Sequence, residues 1–384
     1  MRPKPAQRLA EIQPFLAMDV MERAFAMERD GAEVLHLEVG EPQFAPPPAA
    51  VAACHAALDA GETQYTDSRG LHELRCAIAR DAEERHGVAV DPDRVLVTSG
   101  TSPAMLLVFS ALIDPGDEVV MGTPHYPCYP TFVRSCGGVP VFVPTDPERG
   151  YALDVDAVAE AITPRTKAII VGSPANPTGA IQSADALRGL AGLGPPLVSD
   201  EIYDGLVYDG VRTTSALTIT DDAFVLDGCS KRYAMTGFRL GWVIAPEGAM
   251  RDLQVLQQNL FISANRFVQH AGIGALEGGA DTTAAMCAAF AARRDRLVGG
   301  LRELGFRIPQ APVGAFYVFA DARAFGSRSV DLAFALLERA QVGAGPGLDF
   351  GEAGEGWLRF SFAVSEATVD GALERLAGVM PEFA

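Results

Sequence analysis

Short apolar runs rich in β-branched residues alternate with helical or turn-rich segments through the middle of the chain. Seven such runs lie between residues 94 and 246, at 94–98, 118–121, 139–143, 167–171, 196–199, 223–226 and 241–245. Apolar runs that alternate with helices are typical of parallel strands buried on both faces. The pattern therefore predicts an α/β fold with a mostly parallel seven-stranded sheet flanked by helices.

The pattern changes after about residue 246. A long helical stretch at 250–304 is interrupted only by Gly278-Gly279 and Gly299-Gly300. Further elements are predicted on both sides of the sheet region: helices at 20–29, 330–340 and 368–379, and extended segments at 33–39, 315–320 and 357–363. We expect residues 45–285 to form a large domain, and residues 1–44 plus 286–384 to form a smaller α+β domain from both chain ends.

Composition and charge narrow the class of protein. The 384 residues are 48% hydrophobic, and 31 Lys and Arg against 49 Asp and Glu give a net charge of -18. Such a surface repels phosphate backbones and anionic lipids, so neither a nucleic-acid partner nor a membrane partner is expected. The six cysteines form no C-x-x-C pair, and no apolar stretch approaches the ~20 residues of a membrane span. Without a signal-peptide pattern, a soluble cytoplasmic protein is predicted.

Polar residues follow three of the predicted strands. Lys231 comes soon after the run at 223–226, and Arg239 lies eight positions further on in a glycine-rich turn. Asn176, in Ser173-Pro-Ala-Asn-Pro-Thr-Gly179, and Asp200 each follow another run. Alone, each has an ordinary alternative: a surface cation, a strand-exit turn or a helix cap. Open α/β sheets bind ligands at the carboxyl ends of their strands, and three such residues at one edge predict a ligand site there.

A fourth motif predicts an anion site. The segment 98–105, Thr-Ser-Gly-Thr-Ser-Pro-Ala-Met, joins a predicted strand to an apolar helix. Its hydroxyls and free backbone N–H groups gather at a helix amino terminus, which favours a phosphate group, although a plain helix cap has the same composition. The absence of G-x-G-x-x-G and G-x-x-x-x-G-K-[ST] argues against a dinucleotide or P-loop nucleotide site.

In combination these motifs resemble the fold type I pyridoxal-phosphate-dependent aminotransferases of class I/II. The resemblance extends from Leu37-Glu-Val-Gly-Glu-Pro-Gln-Phe44 through Tyr65-Thr-Asp-Ser-Arg-Gly-Leu-His-Glu-Leu-Arg75 to Trp357-Leu-Arg-Phe-Ser-Phe-Ala363. It implies pyridoxal 5′-phosphate as the cofactor. It also implies ping-pong transfer of an amino group from an L-amino acid to a 2-oxo acid through a lysine Schiff base.

The resemblance assigns three catalytic roles. Lys231 would form the Schiff base and then move the proton between Cα and C4′, which requires an amine that can be neutral near pH 7. A desolvated cavity holding Arg239 favours the neutral amine. Asp200 would pair with the pyridinium nitrogen, and Tyr203, together with Asn176, would hydrogen-bond the cofactor's 3′-oxygen.

Further binding roles follow from the same resemblance. Tyr126 would stack on the cofactor ring, or else be a core tyrosine. The phosphate would be bound by Thr101, Ser102, Arg239 and, from the neighbouring subunit, Tyr65. Gly100 and Ser230 would also bind the cofactor. The substrate carboxylate would be bound by Arg359 through a bidentate fork, by the backbone N–H of Gly40 and by Asn176. A homodimer with shared active sites is therefore expected.

Other positions remain open. Many relatives have a phosphate-binding serine where Gly228 stands, which puts one contact in doubt. His125 and His270 are interpreted as structural histidines because Lys231 already supplies the proton transfer. Arg266 is a candidate to face the partner subunit's active site and to select substrates with an acidic side chain. Against this, the apolar segment 14–18 favours a neutral or hydrophobic substrate side chain.

Two other functions are compatible with parts of the pattern. A β-eliminating lyase on the same scaffold would use the same Lys231, Asp200 and Arg359. A ligand-sensing regulator would retain the cofactor without turnover, but regulators of that type have an amino-terminal winged-helix domain. The short segment before Gly40 does not provide one. An aminotransferase is the preferred interpretation.

Overall fold

A seven-stranded sheet forms the centre of the protein in a computed structural model that describes residues 6–383. The strands over these residues are β1 (Leu35–His36), β2 (Val95–Thr98), β3 (Glu118–Thr123), β4 (Val139–Pro144), β5 (Thr166–Gly172), β6 (Leu197–Asp200), β7 (Phe224–Gly228), β8 (Gly241–Ile244), β9 (Tyr317–Asp321), β10 (Val342–Gly343), β11 (Gly345–Pro346) and β12 (Trp357–Ser361). The α-helices are α1 (Leu16–Arg29), α2 (Pro48–Asp59), α3 (His72–His86), α4 (Thr101–Leu112), α5 (Cys128–Ser135), α6 (Val155–Ala161), α7 (Ala184–Ala191), α8 (Cys229–Arg232), α9 (Met250–Leu260), α10 (Arg266–Gly278), α11 (Ala280–Glu303), α12 (Ser329–Ala340) and α13 (Glu366–Val379).

The central sheet has the strand order β2-β8-β7-β6-β5-β3-β4. Strands β3 to β7 pair in parallel, whereas β8 runs antiparallel to both of its neighbours. All residues of β6, β7 and β8 are buried, as expected for strands covered by helices on both faces. The predicted α/β class and mostly parallel seven-stranded sheet are confirmed.

Both chain ends contribute to a second core. A three-stranded antiparallel sheet has the order β11-β12-β9, and the short strands β1 and β10 pair in parallel beside it. One buried cluster joins Val20 and Leu37 from the amino-terminal part to Phe290, Phe316 and Leu376 from the carboxy-terminal part. The predicted domain limits stay a prediction, and the limit at residue 285 lies inside α11.

The predicted helical stretch at 250–304 is wrong in two places. It is broken at 261–265, where Ile262 adopts a left-handed conformation (φ 68°) and its N–H returns to the carbonyl of Gln257. Gly299 and Gly300, predicted to interrupt it, instead lie inside α11. A Cβ on Gly300 would lie 2.4 Å from Cδ1 of Leu373 on α13, so this glycine permits close helix packing.

The first helix begins earlier than predicted. Helix α1 starts at Leu16 rather than at residue 20, because the carboxylate of the distant Asp349 accepts hydrogen bonds from the backbone N–H groups of Leu16 and Ala17. No helix among the described residues is long and apolar enough to cross a lipid bilayer.

Candidate active site

A cavity of about 240 Å³ opens at the carboxyl ends of β5, β6 and β7. Most of the residues predicted from the sequence line it: Gly40, Thr101, Ser102, Tyr126, Asn176, Asp200, Tyr203, Ser230, Lys231, Arg239 and Arg359. Gly100 does not line the cavity but packs against the Arg239 guanidinium. Tyr65 does not line the cavity of its own chain, and 76% of its surface is exposed.

Lys231 lies on the short helix α8, directly after β7. Its Nζ donates a hydrogen bond to the carbonyl of Gly40 at 2.7 Å. The pKa of Lys231 is lowered to about 8, chiefly by burial; the Arg359 and Arg239 guanidinium groups contribute to the lowering, whereas Glu41 and Asp200 oppose it. The neutral form of this amine is therefore more accessible near physiological pH than that of a solvent-exposed lysine.

Asp200 is the last residue of β6 and is buried. Its Oδ2 accepts a hydrogen bond from the hydroxyl of Tyr129 at 2.8 Å, and its Oδ1 accepts one from the N–H of Ile202 at 3.3 Å. Burial raises the pKa of Asp200 to about 6 in spite of these bonds. Sequence reasoning missed Tyr129, although it stands in the same aromatic window as Tyr126.

Arg359 lies on β12, the middle strand of the three-stranded sheet, and only 2% of its surface is exposed. Arg359 is therefore neither on an edge strand nor a surface charge. Its Nη1 donates to Oδ1 of Asn176 at 2.9 Å and its Nη2 donates to the carbonyl of Glu38. The guanidinium also lies over the ring of Tyr317, 4.4 Å from its centroid.

A second tyrosine that was not predicted from the sequence, Tyr317, also lines the cavity. The hydroxyl of Tyr317, on β9, lies 2.8 Å from the hydroxyl of Tyr203. A Cβ built on Gly40 would lie only 1.7 Å from that Tyr317 hydroxyl, so the close approach of the chain requires glycine here. No spacing in the sequence connects Tyr317 with the motifs around Lys231, because Tyr317 lies on the three-stranded sheet whereas Lys231 follows a strand of the central sheet.

The anion end of the cavity lies at the start of α4. No side chain caps this helix, so its first N–H groups stay available, and the preceding Gly100 has a φ of 94°. Arg239 has a left-handed backbone (φ 56°), and a Cβ on Gly100 would lie 2.5 Å from its Nη2. Free helix N–H groups beside a guanidinium form an anion site.

The remaining candidates lie at the margin. A Cβ on Gly228 would lie 2.7 Å from the carbonyl oxygen of Leu240, so local packing favours the glycine that departs from many relatives. His125 stacks on Phe142, and burial lowers its pKa to about 4. Neither His125 nor His270 lines the main cavity, and Arg266 pairs with Glu62 of its own chain.

Comparison with known proteins identifies the family. Residues 32–376 match the model of the family described as aminotransferase class I and II. The chain belongs to this family. The aspartate/prephenate aminotransferase of Thermus thermophilus is 37% identical to this aminotransferase, over 98% of each protein. The valine–pyruvate aminotransferase of Mycobacterium tuberculosis is also 37% identical, over 97% of each.

Solved structures agree with this assignment. The Thermus thermophilus aspartate aminotransferase with maleate superimposes with a TM-score of 0.93 at 37% identity, covering 99% of this chain and 100% of that one. The resemblance found in the sequence is confirmed, and the protein is an aminotransferase acting on amino acids and 2-oxo acids by the ping-pong mechanism of its family. Class I and II aminotransferases depend on pyridoxal 5′-phosphate.

Proposed function

We propose that this aminotransferase binds pyridoxal 5′-phosphate in the 240 Å³ cavity, with Lys231 as the lysine that attaches to it. One observation carries the proposal: an amine of lowered pKa, a buried carboxylate and a buried guanidinium line the same cavity, in Lys231, Asp200 and Arg359. Perturbed ionisable groups converging on one cleft are typical of catalytic sites.

The residues fit each end of this cofactor. The uncapped start of α4, Ser230 and the Arg239 guanidinium suit a phosphate group. Among residues 6–383, the buried Asp200 carboxylate has no cationic partner within hydrogen-bonding distance, and it suits a protonated ring nitrogen. Asn176 accepts from Arg359 through Oδ1, and because arginine only donates, the amide N–H₂ of Asn176 stays free to donate to the cofactor's 3′-oxygen.

The chain's own groups account for the steps at the substrate. When bound, the cofactor supplies an aldehyde for the amino group and a ring that stabilises negative charge at the substrate Cα. The Lys231 amine, with its pKa near 8, would take the proton from the substrate Cα and deliver it to C4′ of the cofactor. Tyr203, tied to Tyr317, would hold the 3′-oxygen, and Tyr126 would stack on the ring.

Arg359 is held ready for the substrate carboxylate. Asn176, the Glu38 carbonyl and the Tyr317 ring fix its guanidinium, while its Nε is buried without a hydrogen-bond partner among residues 6–383. An unpaired buried donor is costly, and a substrate carboxylate would remove that cost. The backbone of Gly40 would lie beside the same group.

We also propose a cytoplasmic homodimer in which Tyr65 reaches the partner's phosphate, with a large domain of residues 45–285 and a small domain from both chain ends. Tyr65, Leu260 and Ile262 are exposed, and a hydrogen bond from the N–H of Thr66 to Oγ of Ser263 joins the two segments of chain that carry them. Exposed apolar side chains grouped on one surface support an interface there.

The lysine assignment can be tested by chemical trapping. The whole sequence contains three lysines, Lys4, Lys167 and Lys231. Borohydride reduction of the yellow holoenzyme followed by peptide mapping should label Lys231. Lys231→Ala should lose the label and about 10²-fold to 10⁴-fold or more in kcat, whereas Lys167→Ala, changed at a partly exposed lysine, should lose neither.

The reaction type is checked on the same preparation. Single amino acids should convert the yellow form, and single 2-oxo acids should restore it. Label on Lys167, or parent activity in Lys231→Ala, would contradict the site. Irreversible release of ammonia and pyruvate in place of the reversible cycle would favour the lyase over amino-group transfer.

A further inference from the structure

Under the proposed function, each cationic side chain that lines the described cavity already has another role, so none remains to pair with a substrate side chain. Lys231, Arg239 and Arg359 are its only cationic lining residues among residues 6–383. Lys231 bonds to the Gly40 carbonyl, Arg239 lies at the anion end, and Arg359 is fixed for the α-carboxylate. A side-chain carboxylate would therefore be buried without a charged partner, which is costly.

One part of the cavity wall is apolar and is formed by Phe15, Met18, Met105 and Phe132. Phe15 packs edge-on against Tyr126, with ring centroids 6.4 Å apart. Met105 and Phe132 belong to the same hydrophobic cluster as Tyr126, and Met18 lies at the rim, 39% exposed. Such a wall favours an apolar substrate side chain, because each methylene removed from water there contributes to binding.

Two of these apolar residues, Phe15 and Met18, lie in a segment whose backbone is bound by a single carboxylate, that of Asp349. Phe15 and Met18 belong to the start of α1, which has no cap from its own sequence. The start is held by Asp349, whose Oδ1 and Oδ2 accept from the N–H groups of Leu16 at 2.8 Å and Ala17 at 2.9 Å. Asp349 is 8% exposed.

The residue after Asp349 contacts the arginine proposed to bind the α-carboxylate. The ring centroid of Phe350 lies 4.9 Å from Cζ of the Arg359 guanidinium. The position of the apolar wall is thereby linked to the position of the group that would hold the substrate's α-carboxylate. Helix α1 cannot shift away from the cavity without breaking both bonds to Asp349.

We propose that this aminotransferase selects amino donors with neutral, apolar side chains, and that Asp349 is a positioning residue that holds Phe15 and Met18 against those side chains. The inference rests on the proposed function, because it takes Arg359 as the binding group for the α-carboxylate. It concerns side-chain selection and does not change the transfer chemistry.

Donor selection is measured first, with the holoenzyme and alanine, 2-aminobutyrate, leucine, aspartate and glutamate. The rate of the amino-donor half-reaction is followed by absorbance. We expect kcat/KM to rise about 10-fold or more between alanine and leucine, as hydrophobic pockets discriminate by about that factor for a methylene group. Aspartate and glutamate should fall below alanine. A kcat/KM for aspartate at or above that of leucine would overturn the apolar subsite, whichever subunit supplied the cation.

The role of Asp349 is measured with Asp349→Ala and Asp349→Asn. In Asp349→Ala, the leucine KM should rise about 10-fold while kcat and the alanine kcat/KM change little, since only the side-chain wall is released. Asp349→Asn should restore part of the leucine preference, because an amide has one acceptor oxygen where the carboxylate has two. Glu352→Gln, an exposed change in the next turn, is the matched control.

Binding without reaction provides a second readout. Calorimetric titration with propionate and 4-methylpentanoate should show tighter binding of the longer acid in the parent and loss of that difference in Asp349→Ala. Equal losses for the two acids, or for alanine and leucine, would overturn the positioning role. Failure of the proposed function looks different: no amino acid would convert the yellow form at all.

Discussion

Asp200 and Lys231 have displaced pKa values for the same reason. Burial raises the pKa of the carboxyl to about 6 and lowers that of the amine to about 8, so both changes favour the neutral form. In the protein without cofactor these two groups cost stability when ionised. The cofactor would repay that cost, because its ring nitrogen and aldehyde are the partners that these groups lack.

Asp200→Asn should separate stability from activity. The pKa of Asp200 rises from 3.8 to about 6 on folding, so its ionised form destabilises the folded apoprotein by up to about 3 kcal/mol. This cost is absent below about pH 4, grows as the pH rises through 6 and is complete above it. The variant should therefore be more stable than the parent at pH 8, and equally stable near pH 4.

Urea unfolding of both apoproteins between pH 4 and pH 8 measures this difference. The holoenzyme of the variant should lose about 10²-fold or more in kcat, because the fixed charge facing the ring is gone. A variant less stable than the parent at pH 8 would show that the carboxylate is better compensated than its surroundings indicate.

At the scale of elements, what could be predicted followed from local pattern. The seven strands were predictable because each is an apolar run. The grouping of Asn176, Asp200 and Lys231 at one sheet edge was predictable because they lie at or shortly after the ends of three strands. The start of α1 was not, since its cap is Asp349, more than 300 positions away. Tyr317 was missed for the same reason, because β9 lies in another sheet and meets the site only through tertiary packing.

Helix α8, which carries Lys231, is anchored by a buried ionic network that also depends on tertiary contacts. Arg232 is 3% exposed and its Nη2 donates to both carboxylate oxygens of Asp81 on α3, at 3.0 and 2.9 Å. Arg85, also on α3, donates to Oδ2 of Asp227 on β7 at 2.9 Å. The network thus joins α3 and β7 to α8, the helix on which Lys231 is the neighbour of Arg232.

Arg232→Met should cost about 3–5 kcal/mol of unfolding free energy, because it leaves buried acidic groups with too few partners. Arg80→Met, at an exposed ion pair between α3 and Glu277 on α10, is the control and should cost less than about 1 kcal/mol. Urea unfolding measures both, and the double variant Arg232→Met with Asp81→Asn should cost less than the sum of the single changes. Equal costs for the Arg232 and Arg80 variants would contradict the anchoring role.

At the scale of the whole molecule, the protein is strongly acidic, whereas its cavity gathers cationic side chains. The net charge of -18 belongs to the surface, whereas Lys231, Arg239 and Arg359 gather in one cavity that admits small anions. Arg239 is exposed and Tyr65 is largely exposed in the single chain, although both are expected at the phosphate. A second subunit that covers the cavity mouth would account for both exposures.

The proposed homodimer makes a prediction about mixed sites. In a heterodimer of one Lys231→Ala subunit and one Tyr65→Ala subunit, exchange of Tyr65 between subunits would leave one site with both residues intact and the other with neither. Two-fold symmetry gives the differently tagged, co-purified heterodimer about half of the parent activity, well above either variant homodimer. If Tyr65 instead served its own subunit, each site would lack one residue. The heterodimer would then stay at or below the activity of the Tyr65→Ala homodimer.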